Sequence, residues 1–543
     1  MNVDIDEEFS FGAEDFVDYA EERKKEWLKH CHKELANLTG KGIVEELEVT
    51  SIPAGSNILK SYWKFIFYYD RSLDSYVLVE DAKQTERMES AGRYTPTKNY
   101  DTLKCLLCMG GINGLEMRVM KVKKAYDNAI DSEIYARPPE EPELVKNKVW
   151  RVKKAMRGMH QYSMLWYQRI SQYLEGQGLC KSSIDGCLFS GEGCHALVHG
   201  DEILICGGDR RVVDSMMKGI EDEYGSVEVV CDGFCERPIQ FSNSTIRYEK
   251  GKIHISLQKL LETWGQDNNP FGSYFIVVPL TSPFQVGSDI SYVMSEFWQK
   301  EFRELLYPLR EFSQVFRYDL ASATTQLERC LISGIKYNHY DEIRYSLSYA
   351  KRSRNLGLEF TVGNKEKMSM LFPSDINRCS KKYELVSFVS TCRYRAGDLV
   401  YGYMTMLNGN LIKWGSMKAT FRTRDSEFAA EYVAMKEAMK SNVEIEKILN
   451  EVGVDVGATI ICSEYPEAIS GVMEGKSGIS GKEDGYVMGQ EELEECYRYV
   501  RDVNKSNKFE FKVIRKEKNI GRLMSCVLGL EEFQHYMRLV DED

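Results

Sequence analysis

The sequence predicts a mixed α+β fold divided into several domains. Strand-like apolar runs alternate with segments of helical periodicity along most of the chain. Its 543 residues exceed the usual size of one domain, and 43% apolar with 28% charged residues is ordinary for a globular protein. Two breaks in the pattern, at 264–290 and 363–382, separate three folded regions, and the first break is rich in Gly, Pro, Ser and Asn.

Composition argues against a membrane or secreted protein. No apolar run approaches the ~18 residues that span a bilayer, and the N-terminal residues are acidic where a signal peptide would be basic. The 15 Cys show no pair of CxxC motifs at zinc-site spacing, which favours reduced thiols. We expect a protein of the nucleus or cytoplasm with no membrane partner. A net charge of −12 also argues against a polymerase that holds long duplexes.

The N-terminal third begins with a stretch dominated by Asp and Glu at 4–22. Helical spacing follows at 14–37, and an apolar, aromatic run at 62–69 predicts a strand. Residues 101–109 contain an apolar run in which Cys105 and Cys108 are expected to be core thiols.

Positive charge is concentrated around 146–174, which has seven Lys or Arg and no acidic residue. Local charge of this kind is typical of phosphate binding. The alternative is a solvated helix face whose Met156, Met159, Leu165 and Trp166 turn towards a core. The candidate phosphate ligands are Lys148, Arg151, Lys153, Lys154 and Arg157.

A hairpin is predicted at 196–207, where two apolar strands flank a short polar turn. Gly200 suits the first central position of a two-residue type II′ turn. The residues around the turn are His199, Gly200, Asp201 and Glu202.

The order of residues in this region resembles copia-type retrotransposon reverse transcriptases. Residues 150–167 read W-R-x-K-K-A-x-x-G-x-x-Q and then L-W-Y, similar to the family's WRLKKALYGLKQAPRLWY, and 181–193 resemble its SxxDxCLF segment. The resemblance covers most of residues 25–540. It implies a right-hand polymerase of fingers, palm and thumb, followed by a ribonuclease H-like α/β domain. The expected domains are an acidic segment at 1–24, fingers and palm at 25–263, a linker at 264–290, a helical thumb or connection at 291–362, a linker at 363–382 and the ribonuclease H-like domain at 383–543.

The resemblance implies a polymerase centre at which one acid has changed. The family's first catalytic Asp falls on Lys121, and the turn at 199–202 stands where the family has YVDD. Two-metal catalysis needs carboxylates that hold cations ~3.5–4 Å apart, and an ammonium group would repel them. We therefore predict that Lys121 lies within hydrogen-bonding distance of Asp201, with an attraction of at most roughly 4 kcal/mol at an effective dielectric of 20. The alternative is that Asp201 and Glu202 still bind metal with an acid from elsewhere.

The C-terminal region has the element order of a ribonuclease H fold, and 403–420 and 426–438 resemble copia-type ribonuclease H segments. That enzyme uses four carboxylates. Glu431 matches the second, whereas Ser390 or Cys392 falls at the first and Ser463 at the third. The fourth falls near Glu494 and Glu495. The acids that remain at the two centres are Asp201, Glu202, Glu431 and Glu494.

These substitutions predict a retrotransposon-derived pseudoenzyme that acts by binding. RNA or DNA would contact the basic run, unless the acidic residues 4–22 compete for it, and a protein partner is the other candidate. Two further alternatives are an active RNA-directed DNA polymerase with ribonuclease H, and a dominant-negative partner of an active element's polymerase. No cofactor is expected, and Mg²⁺ would be needed only by the active enzyme.

Overall fold

The computed structural model describes most of the chain. It covers residues 7–11, 21–53, 55–56, 58–67, 73–80, 99–123, 125, 129–139, 148–156, 159–225, 227–232, 238–249, 251–263, 277–280, 294–361, 371, 383–394, 399–419, 427–457, 459–474, 490–505 and 508–541. No helix within these ranges has the length and apolar character needed to cross a membrane.

The N-terminal region forms a six-stranded sheet in the order β1-β3-β6-β7-β2, with β4 paired to β3. Trp63, Trp150 and Val152 are buried in its core together with Cys31 of the first helix. Asn99 caps the second helix by accepting a 2.9 Å hydrogen bond from the Asp101 N–H. The elements are β1 (Glu7–Phe11), α1 (Glu21–Gly40), β2 (Val44–Glu48), β3 (Ile58–Phe67), β4 (Leu73–Glu80), α2 (Tyr100–Asn113), β5 (Glu116–Val122), β6 (Ala129–Ala136) and β7 (Lys148–Lys154).

Strand β5 belongs to a second six-stranded sheet, ordered β12-β5-β11-β10-β9-β8. Two helices lie beside this sheet, and their apolar residues Trp166, Ile170, Val213 and Ile220 form a core with its strands. The elements are α3 (His160–Gly176), β8 (Cys180–Lys181), β9 (Leu188–Gly191), β10 (Cys194–His199), β11 (Glu202–Gly207), α4 (Arg210–Tyr224) and β12 (Val227–Asp232).

A third sheet of four strands, β13-β14-β15-β16, is joined to three long helices. Arg317 and Asp319 form a fully buried ion pair at the junction between the first two of these helices. The elements are β13 (Ile239–Phe241), β14 (Ser244–Glu249), β15 (Lys252–Ser256), α5 (Gln258–Thr263), α6 (Glu296–Val315), α7 (Ala321–Ser333), α8 (Tyr337–Arg352) and β16 (Gly357–Phe360).

The C-terminal region is a five-stranded sheet in the order β19-β18-β17-β20-β21. Strands β17, β18 and β19 are antiparallel, whereas β17, β20 and β21 run parallel to one another. At Gly402 an added Cβ would lie 2.3 Å from Met524 Cβ, so glycine allows the short helix α12 to approach the sheet. The elements are β17 (Leu385–Arg393), β18 (Leu399–Leu407), β19 (Asn410–Lys418), α9 (Glu427–Glu451), β20 (Thr459–Ser463), α10 (Pro466–Glu474), α11 (Gln490–Asn504), β21 (Phe509–Val513), α12 (Arg522–Ser525) and α13 (Leu530–Val540).

One apolar core runs through α2, the third sheet, the helices α6 to α8 and the five-stranded sheet. Polar contacts join the same regions: Lys104 and Lys413 both bind the Asp101 carboxylate, and Lys104 Nζ also lies 4.3 Å from the centroid of the Trp414 ring. These contacts connect α2 to β19 across more than 300 residues of sequence.

The predicted mixture of helices and sheets is confirmed for the described residues. The interpretation of the basic run as a helix face is wrong, because residues 148–154 form strand β7 and the helix begins only at His160. The two predicted linkers and the acidic segment lie mainly outside the described residues.

Candidate functional site

The first candidate site is the end of the hairpin formed by β10 and β11. His199 pairs with Glu202, so Gly200 and Asp201 form a two-residue turn, and Gly200 has the positive φ of 56° that such a turn requires. The Trp166 indole N–H donates a 2.6 Å hydrogen bond to the Gly200 carbonyl, which ties the turn to α3. The next strand, β5, pairs Lys121 with Glu202. The fold thus brings Lys121 beside the turn.

Lys121 and Asp201 form an ion pair at this turn. Lys121 Nζ lies 3.9 Å from Asp201 Oδ2, and the side chains are 46% and 29% exposed. The predicted adjacency is confirmed, but the distance is too long for the predicted hydrogen bond. Since both groups face solvent, the pair contributes about 0–1 kcal/mol, well below the upper figure expected from the sequence.

The Glu202 carboxylate contacts a different part of the fold. It accepts a 2.8 Å hydrogen bond from the backbone N–H of Ser242, in the turn between β13 and β14. Within the described ranges no three His, Cys, Asp or Glu side chains are grouped so that they could hold a metal ion. Lys121 places an ammonium group beside Asp201, so the described residues at this turn do not fit a pair of divalent cations. Asp127, an acid six residues after Lys121 in the sequence, lies outside the described residues.

A second candidate site lies where α9 crosses the ends of β17 and β20. Glu431 is fully buried, and its carboxylate accepts a hydrogen bond from the Ser463 hydroxyl. The Ser463 oxygen in turn accepts a 3.0 Å hydrogen bond from the Tyr465 N–H. A neutral hydroxyl thus faces the buried acid at the place where the sequence comparison expects a third carboxylate.

Strand β17 carries Ser390 and Cys392, the two candidates for the first acidic position. Ser390 is buried, and its hydroxyl accepts a 2.9 Å hydrogen bond from the Ser525 hydroxyl of α12. Cys392 is half-buried. The side chain of Glu494 lies outside the described residues, and the carboxylate of the exposed Glu495 lies 3.9 Å from Lys436 Nζ.

Sequence reasoning missed Arg522, the charged residue of α12. Its guanidinium Nη1 lies 3.1 Å from Glu464 Oε1, next to the end of β20, and only 12% of its side chain is exposed. Its charge also acts on the thiols of Cys392 and Cys526. The only local signal is a charged residue within the run 519–526, NIGRLMSC.

The basic run forms the strand β7 beside the acidic strand β2. Lys148 Nζ lies 3.1 Å from Glu46 Oε2, and Lys153 Nζ lies 2.9 Å from Glu45 Oε2. The hydrogen bond and charge of Lys153 lower the pKa of Glu45. These partners come from β2 and not from residues 4–22. The two pairs are exposed, so a phosphate group could replace the carboxylates at little cost. Arg157 lies outside the described residues.

Comparison with known proteins gives a consistent picture. Residues 49–234 match the family of reverse transcriptases (RNA-dependent DNA polymerases). The chain is 19% identical over 534 residues to the retrovirus-related Pol polyprotein from transposon TNT 1-94 of Nicotiana tabacum, covering 95% of this chain and 38% of the relative. It is 22% identical over 439 residues to the Pol polyprotein from transposon RE1 of Arabidopsis thaliana, covering 76% and 28%. It is also 22% identical over 491 residues to the Ty1-GR2 Gag-Pol polyprotein of Saccharomyces cerevisiae, covering 86% and 26%.

The chain therefore spans between about a quarter and two fifths of the length of these relatives. The predicted resemblance to copia-type retrotransposon Pol is confirmed.

Proposed function

From the relationship of this chain to copia-type retrotransposon Pol, we propose that it is a reverse transcriptase-like and ribonuclease H-like protein that acts by binding and not by catalysis. The observation that carries the proposal is the ion pair between Lys121 and Asp201. Lys121 occupies the place of the first catalytic Asp, and it lies against the residue that stands in the catalytic turn.

Physical chemistry supports this proposal at the polymerase-like site. A divalent cation at the turn would need to displace or tolerate the Lys121 ammonium group, whose charge repels it. The Asp201 carboxylate would also lose its ion pair, while Glu202 would lose its hydrogen bond to Ser242. Two-metal catalysis depends on several carboxylates that share the cations.

The C-terminal site supports the same proposal for the ribonuclease H-like region. Glu431 and Ser463 form a closed carboxylate–hydroxyl contact, and Ser390 is bound to Ser525. Arg522 places a further positive charge near the end of β20. Hydroxyl and guanidinium groups are poor ligands for Mg²⁺, which prefers carboxylate and water oxygens.

Primer extension tests the proposal directly. The purified protein is expected to add no nucleotide to a primed RNA or DNA template with either Mg²⁺ or Mn²⁺, because the cations have no set of acids to hold them. An active copia-type polymerase provides the positive control, and Mn²⁺ calorimetry on the same preparation should show no micromolar binding. Metal-dependent extension that Asp201→Asn abolishes would establish the active-enzyme alternative.

Nucleic-acid binding through the basic run is the form of binding that we propose. Replacing Lys148, Arg151, Lys153 and Lys154 together by Gln is expected to weaken single-strand binding equally for all sequences. Each lost phosphate contact should reduce the slope of log K against log salt by roughly 0.7. Fluorescence anisotropy with oligonucleotides, measured from about 50 mM salt upwards, reads both quantities.

The acidic strand β2 offers a matched control for this titration. Glu45→Gln with Glu46→Gln removes the carboxylates that compete for Lys153 and Lys148, and it should tighten binding. Phosphate contacts are strong at about 50 mM salt. If neither the unmodified protein nor the double variant Glu45→Gln, Glu46→Gln binds oligonucleotides there, nucleic-acid binding is refuted. The protein-partner function would then take its place.

One observation favours the protein-partner function as a second candidate. Phe297 and Tyr307 on α6 are 69% and 72% exposed, and Tyr337 at the start of α8 is 56% exposed. Large aromatic side chains are enriched at protein interfaces. Pull-down against the polymerase of an active copia-type element would test the dominant-negative form of this function.

A further inference from the structure

The last strand of the C-terminal sheet, β21, has an open edge. It pairs in parallel with β20, and the sheet order places no other described strand beside it. The Ile514 N–H, directly after the strand, donates a 2.8 Å hydrogen bond to the Ser463 carbonyl of β20. In a parallel pair, alternate residues of a strand turn their backbone groups to the same neighbour. The N–H and C=O groups of Phe511 and Val513 therefore point away from β20, towards the open edge.

This edge is exposed to solvent. The Val513 side chain is 54% exposed, whereas Phe509 is buried and Phe511 is half-buried, so the strand is anchored to the core through one face. Throughout the described ranges, no hydrogen bond occupies the outward N–H or C=O groups of Phe511 and Val513. A row of unpaired backbone groups at a sheet edge is a template on which another strand can pair.

Positive charge dominates the surroundings of this edge, in a chain with a net charge of −12. The cations of residues 508–518 are Lys508, Lys512, Arg515, Lys516 and Lys518, and the acids are Glu510 and Glu517. Lys508 lies 3.4 Å from Glu446 of α9, in a partly exposed pair. Arg515 and Lys516 follow the strand and are exposed, and no carboxylate of a described residue forms an ion pair with them. An approaching chain therefore meets uncompensated positive charge at the C-terminal end of β21.

A sheet edge that carries Lys and Arg selects the strand that can pair with it. Like charges directly opposite one another destabilise a strand pair, so β21 of a second copy of this chain is disfavoured. Carboxylates opposite the same cations stabilise the pair. A nucleic acid would also be attracted to the cations, but it has no peptide groups to pair with the outward N–H and C=O groups. The open edge and its charge together favour an extended, acidic polypeptide.

We propose that β21 is a docking edge for an extended, acidic segment of a partner protein, which adds a strand to the five-stranded sheet. The backbone of the partner pairs with the outward groups of Phe511 and Val513, and its carboxylates face Lys512, Arg515 and Lys516. This edge is separate from the basic strand β7 and from the exposed aromatic residues of α6 and α8. The proposal therefore does not depend on nucleic-acid binding through β7.

Synthetic peptides and the unmodified full-length protein test the proposal without any variant. The probe is a fluorescein-labelled peptide of about eight residues, a usual strand length, in which Glu alternates with Thr. In fluorescence anisotropy this probe should bind, and a probe with Lys in place of Glu should bind at least about tenfold more weakly. Two further acidic probes carry N-methyl groups on one or the other alternate set of amides. One of them should lose binding and the other should keep it, because a strand pairs through one edge only.

Substitutions at the edge test the same contact from the side of the protein. Val513→Pro removes an outward N–H but no hydrogen bond to β20, and it should weaken binding of the acidic probe by about tenfold. Val513→Thr keeps the N–H and should bind as the unmodified protein does. Replacing Lys512, Arg515 and Lys516 together by Gln should weaken binding and reduce its salt dependence. Tryptophan fluorescence and the urea midpoint check that each variant is folded, and the N-methyl probes decide if Val513→Pro is not.

Three outcomes would overturn the proposal. If the acidic probe does not bind at about 50 mM salt, the cations only keep the edge from pairing. Binding that survives both N-methyl sets would be charge attraction without strand addition. If a single-stranded oligonucleotide loses affinity in the Gln variant of Lys512, Arg515 and Lys516 while the acidic probe never binds, the surface belongs to nucleic acid. The Gln variant of the basic strand β7 should bind the acidic probe normally, which separates this test from that of nucleic-acid binding through β7.

Discussion

Replacing Asp101 by Ala is expected to lower the free energy of unfolding of the unit that contains α2 and β19 by about 3–5 kcal/mol. Lys104, whose side chain is 1% exposed, lies 2.8 Å from the Asp101 carboxylate, and Lys413 binds the same carboxylate. Without Asp101 the buried Lys104 ammonium group would keep its contact with the Trp414 ring but would lose its carboxylate partner. Urea unfolding followed by tryptophan fluorescence measures the loss.

An exposed ion pair of similar length provides the control. Lys252 Nζ lies 2.8 Å from Glu359 Oε1, with side chains 46% and 35% exposed. Glu359→Ala should change the stability by less than about 1 kcal/mol, because solvent screens the pair. Equal effects of the two substitutions would mean that Asp101 contributes no more than a surface charge.

The contribution of Asp101 should depend on pH. Burial alone would raise its pKa, but the charges of Lys104 and Lys413 outweigh burial, and the pKa is lowered. A lowered folded-state pKa contributes stability that is fully present above the unfolded value of about 3.9 and is lost as the pH falls through the folded-state pKa. The difference in stability between the unmodified protein and Asp101→Asn should therefore be constant above about pH 5 and should shrink below about pH 4.

Asp319→Ala is expected to be as destabilising, again by about 3–5 kcal/mol. Both Arg317 and Asp319 are fully buried, and the guanidinium makes two hydrogen bonds to the carboxylate, at 2.9 and 2.7 Å. Arg317 also donates to the Ala350 carbonyl and the Ser353 hydroxyl, which joins the α6–α7 junction to the end of α8. Removing the carboxylate leaves a buried cation with neutral partners only.

The pair of Arg310 and Glu328 serves as the control for this second prediction. It joins α6 to α7 at 3.2 Å, but the side chains are 60% and 35% exposed. Arg310→Ala should cost less than about 1 kcal/mol. In a separate experiment, Arg317→Lys should retain little of the stabilisation that the Arg317–Asp319 pair provides. An ammonium group cannot make the bidentate contact of a guanidinium. Full stability of Asp319→Ala would contradict the proposed role of the ion pair.

The sequence was sufficient to predict local features and the position of the hairpin. Gly200 and the flanking apolar runs predicted the turn, and the family resemblance placed Lys121 next to it. Turn chemistry and strand alternation are local properties, which explains this success. For the Lys121–Asp201 pair, sequence reasoning set only an upper limit to the attraction, since the exposure of the two side chains cannot be read from the residue types alone.

Long-range partners could not be predicted in the same way. Lys148 and Glu46 are 102 residues apart in the chain, and nothing in either segment indicates that β2 lies against β7. The position of Arg522 beside Glu464 could not be predicted either, because it depends on the packing of α12 against the five-stranded sheet. The helical interpretation of the basic run failed because Lys and Arg also suit the solvent-facing positions of a strand, as Lys148 and Lys153 do in β7.

The Lys121–Asp201 pair also bears on how such a chain can change over generations. Both residues lie at a strand end and a turn, half in solvent, whereas the continuous core is built from other side chains. Substitutions of Lys121 or Asp201 leave the packing of the core unchanged. Surface substitutions usually alter the free energy of unfolding by less than about 0.5 kcal/mol. Selection for a folded, long-lived protein therefore does not oppose substitution of Lys121 and Asp201. A lineage can replace reactive groups there one at a time while it inherits the same scaffold.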